Sequence, residues 1–197
     1  MNSEYDDLRP PVSLAPVERQ QLILLHQVLQ HLDVDEADYH RRMAEVLTEG
    51  FTLEYEKVFS AYAELPRDDC KLVFDVLDMF SVIKVSLAAL GESDRNPLMA
   101  EHGFTLRFQG FDGNDAREGK MASYVTYLQA DDRWTNLRED VELADGGNSH
   151  SLMLSRYEAM LGVYRPIWSE VVDNPGRGSG RYLLDGDQLR QVAEVRR

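Results

Sequence analysis

Apolar residues recur along most of the chain at three- and four-residue steps, the spacing that puts them on one face of an α-helix. Pro16 loses nothing by lacking an N–H in a first turn, so it opens the first helix, with Leu22, Leu25, Val28, Leu29 and Leu32 as its apolar stripe. The acidic stretch from Asp33 to Asp38 interrupts the pattern and is expected to cap a second helix bearing Tyr39, Met43, Val46 and Leu47. Gly50 ends that helix in the left-handed conformation glycine favours. Thr52 is expected to cap a third, short helix carrying Leu53, Val58 and Phe59.

From Asp68 to Leu90 one long helix is predicted, about 34 Å at 1.5 Å per residue, with Asp68 and Asp69 in its first turn and Gly91 stopping it. Its apolar residues cover more than one face, so it is assigned to the centre of the core. The polar, Pro-containing stretch Glu92 to Gly103 is expected to be a surface loop or an insertion. Phe104, Leu106 and Phe108 then alternate as in a short extended segment, ended by Gly110 and the turn Asp112-Gly113-Asn114.

A helix from about Asp115 to Ala130 follows, with Met121, Tyr124, Val125 and Leu128 on one face. Another starts near Ser149 and carries Leu152, Leu154, Tyr157, Met160, Leu161 and Tyr164 until Pro166 disturbs it. A final helix, with Leu189, Val192 and Val195, begins at a capping box of Asp185 and Gln188. It is expected to dock on its own domain or on a neighbouring subunit. The fold class is therefore all-α, a compact multi-helical domain with one long central helix and at most one short extended segment. Residues 1–15 are expected to be a disordered acidic tail, 16–173 the helical domain, 174–181 a Gly-rich flexible linker and 182–197 the docking helix.

Laid in order, these segments resemble the YfbU family, a set of bacterial and archaeal proteins without an assigned activity. The resemblance rests on Glu18-Arg19-Gln20-Gln21-Leu22-Ile23-Leu24, the long Val73–Leu87 stretch, Phe108-Gln109-Gly110-Phe111-Asp112, the run from Tyr157 to Tyr164, and Tyr182, Leu184 and Asp185. It covers most of residues 16 to 195. It implies an all-helical fold and a ligand-binding or regulatory role, since relatives can be joined to DNA-binding domains. It supplies no catalytic residues.

Composition narrows the partners. The chain of 197 residues has a formal net charge of −14, which opposes direct nucleic-acid binding. Cys70 is the sole cysteine, so no internal disulfide forms and a reducing compartment fits. Glu4, Asp6 and Asp7 precede any apolar run, so no secretory signal is expected, and no stretch of about 18 uncharged apolar residues suits a bilayer. A cytoplasmic protein without membrane association is expected, and no cofactor is assigned.

Local motifs for chemistry fail on spacing. His26, His31, His40, His102 and His150 lack a His-Glu-x-x-His or i, i+4 arrangement, and no metal site is assigned. Asp33-x-Asp35 and Asp112-x-Asn114 begin like EF-hand loops without completing them, and Asp112 suits a turn. In Gly146-Gly147-Asn148-Ser149-His150-Ser151 the adjacent Ser and His lack a strand-to-helix elbow, and Ser149 or Ser151 is expected to be a helix N-cap. Cys70 reads as an inert thiol, since Asp68 and Asp69 oppose a thiolate.

The aromatic residues of the second half remain. Phe104, Phe108, Phe111, Tyr124, Trp134, Tyr157, Tyr164 and Trp168 are read first as core, and beyond that as a ligand pocket or interface with Arg133 and Arg156 on its rim. The leading functional reading is a non-enzymatic module that binds a small ligand or protein partner in a regulatory role and self-associates as a homo-oligomer through an amphipathic helix. The alternative is a hydrolase whose His and carboxylate groups converge from distant parts of the sequence, with its catalytic residues unassigned.

Overall fold

The computed structural model describes residues 13–59, 64–173 and 182–195. The expected tail up to residue 12 and the linker at 174–181 lie outside them. The chain divides into two compact units, 1–64 and 65–197, each taken by itself below.

In the first unit, α1 (Pro16–Leu32) packs on α2 (Ala37–Glu49), and a 3-10 turn (Thr52–Glu54) leads into α3 (Tyr55–Phe59). Gly50 takes the left-handed conformation, φ 73°, and its N–H closes the helix on Val46. A small core forms from Ile23, Met43, Leu47, Tyr55 and Val58. Two expectations fail here. Thr52 starts the 3-10 turn without a side-chain cap, and Leu53 is exposed, because the turn directs Tyr55 and Val58 inward instead. The buried face of α1 is formed by Ile23 and His26, whereas Leu25, Val28 and Leu32 of the expected stripe are exposed together with Leu24. With apolar residues on two sides, the spacing alone did not select which side meets α2.

The second unit is built around α4 (Arg67–Ala89), in which Val73, Val76, Leu77, Met79, Phe80 and Ile83 are essentially inaccessible. Around it lie α5 (Glu92–His102), α6 (Ala116–Ala130), a 3-10 turn (Thr135–Leu137), α7 (Arg138–Leu143), α8 (Leu154–Asp173) and α9 (Gly186–Ala193). The last helix packs on α5 and α8 through Leu189, Val192 and Ala193, and its capping box forms at 2.9 Å in both directions. No strand occurs among the described residues; Phe111 and Asn148 form one isolated parallel bridge.

Three local expectations are corrected. The stretch from Glu92 is a helix, not a loop: Glu92 and Asp94 suit its first turn, and burial of Leu98 offsets the hydrogen bond that Pro97 cannot make. The alternation of Phe104, Leu106 and Phe108 does not make an extended run. The chain turns there, with the Leu106 N–H donating to His102, so Leu106 and Phe108 are buried and Phe104 is 60% exposed. Pro166 does not end α8, because it and Gly162, whose carbonyl it leaves without an intrahelical donor, both face solvent.

The start of α8 holds the unit together. Neither Ser149 nor Ser151 caps it: the Ser149 hydroxyl donates to the Ser151 carbonyl, and the helix begins at Leu154. The cap is Glu118, a buried side chain of α6. It accepts from the N–H groups of Met153 (3.0 Å), Leu154 (2.8 Å) and Asp112 (2.9 Å). Beside it Phe111 donates to Gly147, Ser149 donates to Phe111, and Asn148 accepts from Gly113. Gly110 permits this approach: at φ 82°, a Cβ there would sit 2.3 Å from the Gly147 oxygen.

A buried N–H without an acceptor costs about 1–3 kcal/mol, so Glu118→Ala, which orphans the buried Met153 and Leu154 amides as well as the part-buried Asp112 amide, should cost at least about 2 kcal/mol. Glu118→Gln should cost less. Urea unfolding curves would measure both; a loss below about 1 kcal/mol for the alanine variant would refute the capping role.

Candidate functional site

Four rings from three segments meet in the second unit. Phe80 of α4, Phe108 and Phe111 of the connecting segment and Tyr157 of α8 pack with centroids 5.3 to 5.9 Å apart, mostly edge to face. The Tyr157 hydroxyl donates to the Gly110 carbonyl (2.9 Å) and accepts from the Gln109 N–H (3.0 Å). Burial pushes its ionisation well above the ordinary tyrosine range, so it remains a neutral hydroxyl. Phe108, Phe111 and Tyr157, expected as core or site, thus form core.

That core is the floor of a cleft of about 330 Å³. Phe80, Leu87, Met99, Leu106 and Phe108 supply its apolar surface, while Lys84, Arg95, Arg107, Glu139 and Asp140 supply its charges. Lys84 donates to Asp140 at 2.8 Å and lies 3.6 Å from Glu139. The Asp140 side chain is 7% exposed, so the ammonium is the charge that makes its burial tolerable. The volume falls at the lower end of small-molecule pockets, and apolar walls with a few converging polar groups are their usual chemistry.

The other expected residues lie elsewhere in this unit. Tyr124 stacks on Phe74 at 5.7 Å, and Phe74 meets Trp134 at 5.1 Å. The Arg133 guanidinium lies 4.4 Å from the Phe74 ring and 4.5 Å from the Trp134 ring. Trp134 sits in the left-handed region, φ 47°, held by its indole N–H on Asp78 at 2.7 Å. Arg156 covers exposed Phe104 at 5.6 Å. Tyr164 stacks on Trp168 at 5.9 Å, and Trp168 meets Tyr182 at 6.5 Å. The ten residues therefore do not converge on one site, and of them only Phe108 lines the cleft.

Lys84, Arg95, Arg107 and Asp140 were not among the sequence candidates. One signal existed: between Asp78 and Leu90, Lys84 is the only charged residue in a mostly apolar run. Arg95 fell in the stretch read as a loop, and its place on the cleft depends on α5 forming.

Acid–base groups also converge in the first unit. His26 of α1 and His40 of α2 approach with their Nδ1 atoms 3.0 Å apart, and Asp33 Oδ2 is 4.0 Å from His40 Nε2. At that separation one ring donates and the other accepts. Burial, and secondarily the neighbouring His40, lower the pKa of His26. In the second unit His150 contacts Asp145 at 3.2 Å, but both are exposed and neither Ser149 nor Ser151 bonds the ring; each hydroxyl donates to the other residue's carbonyl. Among the described residues no three His, Cys, Asp or Glu side chains are grouped to hold a metal ion, and no helix is long and apolar enough to cross a membrane.

A family model, that of the YfbU domain, matches residues 12–195.

The sign of the His26 effect follows from its lowered pKa. The unfolded chain, with an ordinary value near 6.5, binds a proton that the folded chain resists, so stability present above pH 6.5 is lost as pH falls below it. Thermal melts should show His26→Gln losing less stability than the native chain between pH 7.5 and 5.5. Parallel curves would contradict the assignment.

Proposed function

The chain belongs to the YfbU family, and from that premise we propose a non-enzymatic helical module that binds a small ligand in the second unit and serves a regulatory role. The observation that carries this reading is the cleft over Phe80 and Phe108: apolar walls from several elements, with five charged side chains on its lining. Its floor is pre-formed, because Tyr157 and the packed rings fix it without a ligand. Binding there requires little ordering of side chains, which favours affinity for a small molecule.

Self-association is the second part of the proposal. Leu24, Leu25, Val28 and Leu32 of α1 are each more than half exposed and cluster along the helix, an apolar face that a second copy would remove from water.

The neutral fluorophore 2-naphthol tests the cleft. It should bind the native chain saturably and lose affinity at least about tenfold in Ala88→Trp, where the exposed Ala88 lines the cleft and the indole would fill it. Unchanged binding in that variant would reject this site. For the α1 face, light scattering should show a concentration-independent oligomer that Leu25→Glu/Leu32→Glu converts to monomer; a native monomer at all concentrations would refute self-association.

A further inference from the structure

We infer that the cleft of the second unit selects a ligand with an apolar body of octyl size and an anionic head, the head being held by Arg95 and Arg107. The inference rests on the cleft being the ligand site, and goes beyond it by assigning the ligand's charge and size.

The charges on the cleft divide into two groups. Lys84 is occupied: Asp140 and Glu139 both lie within ion-pairing distance of its ammonium, and that trio carries a net charge of −1. Arg95 and Arg107 differ. Among the described residues neither guanidinium has a carboxylate or other hydrogen-bond acceptor, so both are available to a ligand. On a chain with fourteen more acids than bases, carboxylates are abundant. With both arginines counted, the charged lining of the cleft carries a net charge of +1, on a chain whose net charge is −14.

The guanidinium group suits such a head. It is planar, always charged and less strongly hydrated than an ammonium, and its fork of donors matches a carboxylate or phosphate. A cationic head would meet Lys84 as well as both arginines. The carboxylates that could attract it are already held by the lysine. A neutral head would leave both guanidinium groups facing the ligand without exchange of water for a charge-assisted bond.

The body follows from the walls. Leu87, Met99 and Leu106 with the Phe80 and Phe108 rings offer no hydrogen-bonding side chain, so the part of the ligand lying on them gains only by leaving water. A volume of about 330 Å³ holds on the order of ten water-sized groups at about 30 Å³ each, the bulk of an eight-carbon chain with its head.

The test is calorimetric titration of the full chain with octanoate, octyl phosphate, octanol and octylamine, which share a body and differ in head. At least one anion should bind tenfold or more tightly than octanol, with octylamine weakest; which anion wins distinguishes a carboxylate from a phosphate head. Arg95→Gln/Arg107→Gln alters two side chains that are not part of the core, and circular dichroism would verify its fold. It should bring the anions to the level of octanol and leave octanol unchanged. Octanol or octylamine binding as tightly as both anions would overturn the charge assignment while leaving the cleft as a site. An anion preference that survives the double substitution would overturn the role of the arginines. Absence of binding by all four probes, or equal binding to Ala88→Trp, would overturn the underlying reading of the cleft together with the inference.

Discussion

Glu118 is the side chain on which the second unit depends. A carboxylate with four acceptor positions is buried where three backbone donors from two distant segments would otherwise be unsatisfied. Two of the donors are the first N–H groups of α8, at the end of the helix dipole that favours negative charge, and the third belongs to the turn before α6. One side chain thereby ties together the start of α8, the first turn of α6 and Asp112 of the preceding turn. The Phe111–Asn148 bridge and the close pass of Gly110 against Gly147 follow from the same junction. Tyr157, one turn into α8, then reaches Gln109 and Gly110, and with it the floor of the cleft is set.

The two units spend their polar groups differently. In the second, the four buried polar residues among those described are matched to partners of fixed character: Glu118 to backbone amides, Asp69 to Arg117, Asp140 to Lys84, Ser86 to the Leu184 N–H. Such pairs tolerate little rearrangement and suit a rigid binding surface. In the first, the buried polar contact is between two imidazoles, whose charge depends on pH, and α1 keeps an apolar face in solvent.

Much of the helical architecture was legible because period and caps agree. The α4 core stripe, Gly50 and the Asp185–Gln188 box all act as their sequence context implies. The failures share a cause, which is that local pattern does not record tertiary partners. Proline at 97 and 166 reads as a breaker, yet burial of Leu98 in one case and solvent access in the other permit the helix. Ser149 and Ser151 read as caps, and a glutamate more than thirty residues away takes the role. His26 and His40 share no helical spacing because they sit on different helices. The aromatic residues were correctly marked as abundant, but their abundance reflects three separate packing clusters. The cleft is defined by charged residues whose neighbours were not predictable from spacing.

The functional reading requires that the cleft be a standing feature of a rigid unit and not a transient opening. Native-state hydrogen exchange at the Asp112, Met153 and Leu154 amides measures this, since all three are held by Glu118 at the start of α8, the helix that carries Tyr157. They should belong to the slowest class in the second unit, exchanging only with its global unfolding. Exchange through local opening, at rates typical of surface loops, would contradict a pre-formed site.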